Sequence, residues 1–333
     1  MKKAPSTSVD VAKLAGVSRS AVSRAFTPGA YVSPETREKV LRAAEMLGYS
    51  PNVIARSLTM QRTNIIGIVT TDLQNAFYAE LLEEMCRGLQ RQGFATLLIV
   101  TDREDSDDGI ARLLGYQVDA VILSAVMLSS KMAARCQQWG RPVVLVDRYI
   151  ESDSITSVSG SNFTGAALVA DLFVDQGHER IAFMSGYPDT SSSRDRERGF
   201  RDQLARRGRL LHALESGDYT REGAAAAMRR LLDMPSRPDA LFCANDLMAM
   251  AALEVIRSEY GLSVPDDIAV VGYDNTARGA GPAYQLSTVD QNIAGMAEMA
   301  VAATIRRVSK PLDVVEHLSV PARLVLRNTT RPL

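Results

Sequence analysis

The sequence has few of the residues that build disulfide frameworks or metal sites. Its three cysteines, Cys86, Cys136 and Cys243, are scattered singly in apolar segments. Their spacing fits neither a disulfide framework nor a metal site, so we expect buried, reduced thiols and no bound metal.

Long hydrophobic runs are also missing. No apolar stretch approaches the roughly 20 residues that a membrane-spanning helix needs. The first residues, Met-Lys-Lys-Ala-Pro-Ser, lack the apolar stretch of a signal peptide. These absences predict a cytoplasmic protein without membrane contact.

Catalytic motifs are missing as well. The sequence has no Gly-x-Ser-x-Gly elbow and no phosphate-binding Gly-x-x-x-x-Gly-Lys loop, and Gly279-Ala-Gly281 lacks the strand and spacing of a dinucleotide fingerprint. Ser191, Ser192 and Ser193 have no paired base, so ligand binding or helix capping suits them better. We predict that His178 is structural and that His212 and His317 lie on the surface. The sequence thus predicts no catalytic residue and no cofactor.

What the chain does contain is an uneven charge distribution over an ordinary soluble composition. It has 333 residues, 46% of them hydrophobic and 23% charged, which is enough for more than one core. The net charge is −1, but residues 1–62 contain ten basic and four acidic groups, leaving −7 for the remainder. A basic end on an acidic body favours contact with phosphates through that end only.

The basic end begins with a predicted short helix. Thr7 and Asp10 fit a capping box at its start, and Gly16 breaks it. The residues that share its predicted buried face are Val11, Leu14 and Ala15.

A second helix follows after a tight turn. Ser18 is a natural N-cap, and Val22 and Phe26 are predicted to point inward. The predicted outward-facing residues are Arg19, Ser20, Ser23 and Arg24. Helix, tight turn and polar-faced helix form the helix-turn-helix pattern, in which residues at the start of the second helix reach base edges. Taken alone, this polar face is more typical of a solvated helix surface, but the flanking turn and the third helix favour DNA contact.

A third helix is predicted to start at Ser33-Pro34 and to end at Gly48. Its predicted buried residues are Val40, Leu41, Ala44 and Leu47. A further start at Ser50-Pro51 opens a helical stretch to Thr59, shorter than the roughly 12 residues that an isolated helix needs. We expect this hinge to fold only when docked.

Three residues of the hinge are predicted to contact DNA. They are Asn52, Ala55 and Leu58. Ala55 permits close approach, and Leu58 is an apolar wedge suited to opening a base step from the minor groove. The alternative is that Leu58 packs the hinge against the rest of the protein.

From residue 64 onward, Val- and Ile-rich runs alternate with helix-like segments. The predicted strands are Ile65–Val69, Ala95–Val100, Ala120–Leu123, Val143–Val146, Ile181–Met184, Ala240–Cys243 and Ile268–Val271. Both faces of each run are apolar, as in parallel strands covered by helices on both sides. Seven strands predict two doubly wound α/β sheets rather than one.

Polar residues follow the predicted strands. They include Asp72, Asp102, Ser124, Asp147-Arg148, Ser185, Asn245-Asp246 and Asp274. Ligands of such sheets bind outside the carboxyl ends of the strands, so we expect a cleft whose carboxylates, amide and guanidinium groups suit a polyhydroxylated molecule. Asp246 is predicted to cap the following helix, and Asp72 fits a turn and a ligand contact equally well.

Several segments resemble the lac repressor/galactose repressor family across nearly the whole chain. They are Val11-Ala-Lys-Leu-Ala-Gly-Val-Ser18, Val22-Ser-Arg24, Val32-Ser-Pro-Glu-Thr-Arg-Glu-Lys-Val40, Gly48-Tyr-Ser-Pro-Asn52, Ile66-Gly-Ile-Val69, Phe242-Cys-Ala-Asn-Asp246, Val264-Pro-Asp-Asp267 and Val270-Val-Gly-Tyr-Asp274. The resemblance implies a body with the two lobes of periplasmic binding proteins. It also implies effector-binding positions in addition to Asp72, namely Phe77, Tyr78, Asp147, Asn162, Arg196, Asn245, Asp274 and Gln291.

The resemblance further implies how the chain is organised. The expected parts are a helix-turn-helix domain over 1–49, a hinge over 50–63 and an effector-binding and dimerisation domain over 64–333. Within the last, the N-subdomain is expected at about 64–160 plus 292–320 and the C-subdomain at about 161–291 plus 321–330.

The implied function is a transcriptional regulator, most consistent with a repressor. Its expected partners are a near-palindromic double-stranded operator, bound by a homodimer, and a sugar or sugar acid in the cleft. The tail Asn328–Leu333 has no leucine heptads, so a dimer rather than a tetramer is expected. The alternatives are a solute-binding protein of a transporter, disfavoured by the absent signal peptide and the basic end, and an α/β enzyme.

Overall fold

A computed structural model describes residues 6–27, 29–50, 62–103, 105–125, 129–150, 155–310 and 314–332. The chain divides into two units between Thr63 and Asn64. We call the first unit the head and the second the body. The predicted hinge contacts Asn52, Ala55 and Leu58 lie outside the described residues.

Three helices form the described part of the head: α1 (Ser8–Ala15), α2 (Arg19–Ala25) and α3 (Pro34–Leu47). The predicted capping box of Thr7 and Asp10 is confirmed at the start of α1. Gly16 and Gly48 end α1 and α3 with positive φ angles of 65° and 59°, a conformation that favours glycine. Local sequence signals therefore set the helix ends as predicted.

The core of the head is built from small apolar side chains. Its buried residues are Val11, Ala12, Val22, Ala25, Val40, Ala43 and Ala44. The predicted burial of Leu14 and Leu41 is wrong, because both side chains are exposed. Ala12 and Ala43 are buried instead, so the three helices meet along alanine-lined faces and the larger leucines fall outside the contact.

The body contains nine α-helices, one π-helix (Val255–Glu259) and twelve strands among its described residues. The helices are α4 (Ala76–Arg91), α5 (Ser106–Leu114), α6 (Ser130–Trp139), α7 (Asn162–Asp175), α8 (Ser191–Arg206), α9 (Arg221–Leu232), α10 (Asp246–Glu254), α11 (Ala277–Ala280) and α12 (Ile293–Ser309). The strands are β1 (Ile65–Thr70), β2 (Ala95–Val100), β3 (Ala120–Ser124), β4 (Val143–Val146), β5 (Thr156–Gly160), β6 (Ile181–Ser185), β7 (Ala213–Ser216), β8 (Ala240–Cys243), β9 (Ala269–Val271), β10 (Thr288–Asp290), β11 (His317–Val320) and β12 (Arg323–Val325).

The first lobe is built on a six-stranded parallel sheet in the order β11-β5-β4-β3-β1-β2. Alternate residues of one strand enter different cores. Ile122 of β3 packs with residues of α4 and α12, whereas Val121 and Leu123 pack with residues of α5 and α6. Because both faces are covered, the central strands carry continuous apolar runs, as predicted.

The edge strand β2 departs from this pattern. Ile99 is buried, but Leu98 is 40% exposed and Val100 is 52% exposed. The prediction that both faces of this strand are covered is wrong, because a strand at the edge of the sheet has fewer neighbouring elements.

The second lobe is built on a four-stranded parallel sheet in the order β7-β6-β8-β9. Its core contains a cluster of phenylalanines, in which the Phe200 and Phe242 ring centroids lie 4.9 Å apart and those of Phe183 and Phe242 lie 5.1 Å apart. The prediction of two sheets is confirmed. The strands β10 and β12 form a separate antiparallel pair.

The chain passes between the lobes three times within its described residues. The passages follow β5, β10 and β11, near Ser161, Gln291 and residues 321–322. Ser161 Oγ donates to the carbonyl oxygen of Val320 at 3.0 Å and so ties two of the passages together. The strands flanking these passages were not predicted, because they are short or polar: β5, for example, reads Thr-Ser-Val-Ser-Gly.

Candidate effector cleft and DNA-binding surface

The polar face of α2 is an exposed surface of the head. Ser18 Oγ accepts a hydrogen bond from the backbone of Ala21 at 3.2 Å, which fixes the start of the helix. Ala21, Val22 and Ala25 are buried against α1 and α3. The predicted contact residues Ser18, Arg19, Ser20, Ser23 and Arg24 are all exposed.

Neither Arg19 nor Arg24 forms an ion pair in the described head. Arg37, on α3, is used differently: its Nη1 donates to the Ala25 carbonyl oxygen at 2.6 Å and its Nη2 to that of Ala30 at 3.2 Å. Arg37 thus connects the end of α2 to Ala30, a structural role that no motif in the sequence indicated. The guanidinium groups of Arg19 and Arg24 are left available for phosphates or base edges.

A cavity of about 430 Å³ lies between the lobes of the body, and we call it the cleft. This volume is within the range of small-molecule sites, roughly 300 to 1,000 Å³. Both lobes contribute to its wall. The lining residues that carry the argument below are Asp72, Phe77, Tyr78, Arg103, Asp147, Arg148, Tyr187, Arg196, Tyr219, Arg221, Asn245, Asp274, Arg278 and Gln291.

On the side of the first lobe, Tyr78 and Asp147 form a fixed pair. Asp147 directly follows β4 and has a φ of 72°, which turns the chain sharply at the strand end. The Tyr78 hydroxyl, on α4, donates to Asp147 Oδ2 at 2.8 Å. Burial, together with the nearby carboxylate, raises the pKa of Tyr78, so this tyrosine stays a neutral donor. The other carboxylate oxygen, Asp147 Oδ1, is buried and has no hydrogen-bond partner among the described residues.

On the side of the second lobe, Arg196 occupies the wall with only 3% of its surface exposed. Its Nε donates to Asn162 Oδ1 at 2.7 Å, and its Nη1 donates to the Ala244 carbonyl oxygen at 2.5 Å. The guanidinium lies 3.8 Å from the centre of the Tyr273 ring. Burial opposes the charged form, but surrounding hydroxyl and carboxyl groups outweigh it and raise the pKa of Arg196, which stays cationic.

Asp274 and Gln291 meet where the chain returns to the first lobe. Gln291 Nε2 donates to Asp274 Oδ1 at 2.7 Å, and Arg196 Nη1 lies 4.0 Å from the same oxygen. Burial raises the pKa of Asp274 well above the usual range of a carboxyl group, although Arg196 opposes the shift. Asp274 Oδ2 and Gln291 Oε1 are buried without partners in the described chain.

Asn245 has the capping role that the sequence suggested for Asp246. Asn245 is the N-cap of α10, because its Oδ1 accepts from the backbone of Met248 at 2.9 Å. The prediction that Asp246 caps the helix is wrong. Asp246 is fully buried and accepts from the backbone and hydroxyl of Thr276, at 2.8 and 3.0 Å, and from the Thr288 hydroxyl at 2.5 Å.

Several buried polar atoms of the cleft wall have no hydrogen-bond partner among the described residues. Buried polar groups of folded proteins are nearly always paired, so such a group marks a place where a ligand or water completes the bonding. The atoms are Asp147 Oδ1, Arg148 Nε and Nη1, Tyr219 Oη, Arg221 Nη1, Asn245 Nδ2, Asp274 Oδ2 and Gln291 Oε1. They include both donors and acceptors, as recognition of a polyhydroxylated molecule requires.

The structure places most of the predicted effector residues in this wall. Those that line the cleft are Asp72, Phe77, Tyr78, Asp147, Arg196, Asn245, Asp274 and Gln291. Asn162 is not among the lining residues, and its amide holds Arg196 instead. Asp72 Oδ1 accepts from the backbones of Gln74 and Asn75, at 2.9 and 3.1 Å, so it forms a turn as well as lining the cleft.

Other residues line the cleft but are not among the predicted effector contacts, and they include Arg103, Arg148, Tyr187 and Tyr219. Of these, Arg148 is one of the polar residues that follow the predicted strands and are expected at the cleft. Tyr219 follows β7, a strand that was not predicted. A Cβ on Gly186 would lie 2.0 Å from the Tyr219 ring, so only glycine leaves room for that ring.

Two further features bear on the range of possible functions. No group of three or more His, Cys, Asp and Glu side chains in the described parts of the chain is arranged to hold a metal ion. No helix in those parts is long and apolar enough to cross a membrane.

Comparison with known proteins matches both units. Residues 8–52 match the model for bacterial regulatory proteins of the lacI family, and residues 170–330 match that for a periplasmic binding protein-like domain. The ribose operon repressor of Escherichia coli is 31% identical over 328 residues, which cover 97% of this chain and 99% of the relative. The chain belongs to the lacI family of bacterial regulatory proteins. It is a DNA-binding transcriptional regulator with the predicted helix-turn-helix head and two-lobed body.

Solved structures of the lacI family extend this match. The lac repressor dimer bound to operator and the anti-inducer ONPF gives a TM-score of 0.89 at 28% identity, covering 98% of this chain and 99% of that chain. A transcriptional regulator CelR–cellobiose complex gives a TM-score of 0.74 at 30% identity, covering 97% and 99%. The named relatives are transcriptional repressors or regulators rather than enzymes.

Proposed function

We propose that this lacI-family member represses transcription by binding operator DNA through its head, and that a sugar or sugar acid in the cleft regulates that binding. The observation that carries the proposal is the set of unpaired, buried donors and acceptors that both lobes direct to one cavity. The proposed effector-binding residues are those predicted from the sequence, with Asn162 acting through Arg196.

On the DNA side, Arg19 and Ser20 at the start of α2 are proposed to contact base edges. Ser18, Ser23 and Arg24 complete the surface. The hinge residues Asn52, Ala55 and Leu58 are proposed to contact the minor groove, with Leu58 inserted at a base step.

We further propose a homodimer whose two heads bind a near-palindromic operator, because a two-fold dimer reads two symmetric half-sites. The edge strand β2 supports a partner on the first lobe. It presents Leu98 and Val100 to solvent, although most apolar residues of the other strands of this sheet are buried.

Effector binding would act on the DNA through the relative position of the lobes. The effector contacts both lobes, so it favours the lobe arrangement in which all its contacts form. Coupling between two such sites is typically about 1 to 3 kcal/mol, or roughly 5- to 150-fold in operator affinity. The proposed transmitting segment is the hinge at residues 50–63, between a DNA-binding domain at 1–49 and an effector domain at 64–333.

The proposal assigns no catalytic activity, cofactor or membrane contact to the chain, and it places the protein in the cytoplasm with its operator. The basic head also separates this function from that of a transporter's solute-binding protein, which needs no DNA-reading surface.

Two experiments test the proposal. Selection from random duplexes followed by gel-shift assays is expected to enrich a two-fold symmetric sequence, and no binding at micromolar protein and low salt would refute it. Thermal-shift screening of sugars and sugar acids is expected to identify an effector, since a ligand at 100 times its Kd stabilises by about 2.7 kcal/mol.

The two sites are then separated by substitution. Leu58→Ala is expected to weaken operator binding and to leave effector binding nearly intact, whereas Arg196→Ala is expected to do the reverse. Loss of both functions in either folded variant would contradict the proposed division.

A further inference from the structure

Arg148 is a buried cation of the cleft without a carboxylate partner. It follows Asp147 at the end of β4, lines the cleft and is only 8% exposed. Its Nε and Nη1 have no hydrogen-bond partner among the residues that the structure describes, and no ion pair within 4.0 Å joins it to a carboxylate there. Burial of a guanidinium is unfavourable unless a counter-charge is bound.

Three other arginines of the cleft have such partners, and Arg278 is exposed. Arg103 Nη2 donates to both carboxylate oxygens of Asp189, at 2.5 and 2.6 Å. Arg221 Nη2 donates to Glu254 at 2.6 Å. Arg196 is held by the contacts described above. Arg221 Nη1 is also buried without a hydrogen-bond partner, but the Arg221 side chain is 37% exposed and already has a carboxylate partner. Arg148 is therefore the guanidinium of the described cleft that is both buried and without a carboxylate partner.

The charged groups near Arg148 leave room for one more negative charge. The Asp147 carboxylate already accepts a hydrogen bond from Tyr78. Asp147 and Tyr78 together raise the pKa of Arg148 against the opposing effect of burial, so the guanidinium stays charged. Burial raises the pKa of Asp274, so its carboxyl group keeps its proton to a higher pH than an ordinary carboxyl group does. It therefore supplies less negative charge to balance the buried guanidinium groups of Arg148 and Arg196.

We infer that the effector is a polyhydroxylated carboxylate, a sugar acid, and that Arg148 binds its carboxylate group. This inference rests on the proposed role of the cleft as the effector site, and it assigns the class of ligand. A charge-assisted hydrogen bond from a guanidinium to a carboxylate is stronger than one to a neutral hydroxyl. The unpaired oxygens of Asp147, Asp274 and Gln291 accept from the ligand's hydroxyl groups.

A carboxylate suits the site better than a phosphate. The carboxylate of Asp147, the residue next to Arg148, has its Oδ1 unpaired. Its negative charge repels a phosphate dianion more strongly than a carboxylate monoanion bound to Arg148. A single negative charge also matches the one buried guanidinium of the described cleft that lacks a carboxylate partner.

Isothermal titration calorimetry on the full chain tests the assignment. The probes are D-glucuronate, D-galacturonate and D-gluconate, each compared with its neutral counterpart D-glucose, D-galactose or sorbitol, and D-glucose 6-phosphate serves as the phosphate probe. At least one acid is expected to bind ten-fold or more tightly than its neutral counterpart. Arg148→Met is expected to reduce that preference at least ten-fold, and Arg148→Lys is expected to retain part of it.

The matched control is Arg141→Met, an exposed arginine that precedes the same strand β4 and does not line the cleft. It is expected to keep the full preference for the acid. Circular dichroism melts verify that each variant is folded, and Arg148→Gln replaces Arg148→Met if the latter melts below the assay temperature.

Four outcomes overturn the inference. In the first, a neutral sugar binds as tightly as its acid, and in the second, the preference for the acid survives Arg148→Met. In the third, glucose 6-phosphate binds more tightly than every acid, and in the fourth, no acid binds. If a neutral sugar binds and still requires Arg196, the proposed effector cleft stands and only the assignment of a sugar acid fails.

Discussion

Arg103 Nη2 donates to both carboxylate oxygens of Asp189, at 2.5 and 2.6 Å, and this contact joins the two lobes across the cleft. Arg103 follows β2 of the first lobe, and Asp189 precedes α8 of the second. The same guanidinium lies 3.7 Å from the centre of the Tyr187 ring, which also belongs to the second lobe. Both charged side chains are partly exposed, so the contact is a weak bond suited to forming and breaking as the lobes move.

Removing this interlobe contact is expected to lower effector affinity without unfolding the body. For Arg103→Ala we expect a loss of about 0.2 to 1 kcal/mol, or up to about five-fold in Kd, because exposed ion pairs contribute little. Asp189→Ala should give the same loss, and the double variant no more than either single one. Calorimetry with the best ligand measures it, with Arg112→Ala on the surface of α5 as the control. Additive losses in the double variant would show that the two residues act separately.

Arg196 is expected to stabilise the second lobe as well as to contact the effector. Arg196→Ala leaves Asn162 Oδ1, the Ala244 carbonyl oxygen and Asp274 buried without their cationic partner. The expected loss of unfolding free energy is about 3 to 5 kcal/mol, as for removal of one member of a buried charged pair. Urea denaturation of the full chain measures it.

The control for Arg196 is Arg198→Ala, on the same helix α8. Arg198 is exposed and lies 3.7 Å from Asp202 within that helix. Its removal should change the unfolding free energy by less than about 0.5 kcal/mol. Similar losses for the two variants would contradict the structural role of Arg196.

The raised pKa of Asp274 predicts that this residue stabilises the folded protein less as the pH rises. Burial raises the pKa of this carboxyl group in the folded protein. Its contribution to stability is therefore fully present below the unfolded pKa of about 4 and is lost as the pH rises through the folded pKa.

Asp274→Asn removes this titration and keeps an oxygen that accepts from Gln291. The variant should gain unfolding free energy relative to the parent chain as the pH rises from about 4, by about 1.4 kcal/mol for each pH unit until the folded pKa is passed. Urea denaturation of both proteins at a series of pH values measures the difference. A difference that stays constant from about pH 4 to about pH 8 would refute the raised pKa.

Arg19 is expected to contribute directly to operator recognition. A bidentate contact between arginine and guanine supplies about 1 to 3 kcal/mol of discrimination, so Arg19→Ala should weaken binding roughly 5- to 150-fold and relax specificity at one base pair. Fluorescence anisotropy with the selected duplex, at one fixed salt concentration, measures it. Arg42→Ala is the control, because Arg42 is exposed on α3 and pairs with Glu38. Equal losses on specific and random duplexes would assign Arg19 to phosphate contact instead.

Local patterns in the sequence predicted much of this structure. The capping residues Thr7, Ser18 and Ser33 lie where the helices of the head begin, because capping depends only on residues three or four positions apart. All seven predicted strands exist, because strands covered on both faces need continuous apolar runs. Short polar strands such as β5 and β7 carry no such signal and were missed.

The candidate site was predicted less completely. Asp147 and Asp274 follow apolar strands, so their place at the cleft could be inferred from the chain alone. Tyr219 could not be, because it follows the unpredicted β7 and fits only where Gly186 leaves space. Leu14 and Leu41 were placed in the core because periodicity cannot tell which of two apolar positions meets a neighbouring helix.

The sequence by itself determined where the helices of the head begin and where the apolar strands lie, because caps, glycines and apolar runs act between near neighbours in the chain. Only the tertiary structure decided which polar groups are paired. Arg196 finds Asn162 and the Ala244 carbonyl, and Arg103 finds Asp189, across separations of 34 to 86 residues. Arg148 finds no such partner. Whether a buried charge is paired depends on distances that only the folding of both lobes sets, and those distances define the chemistry of the cleft.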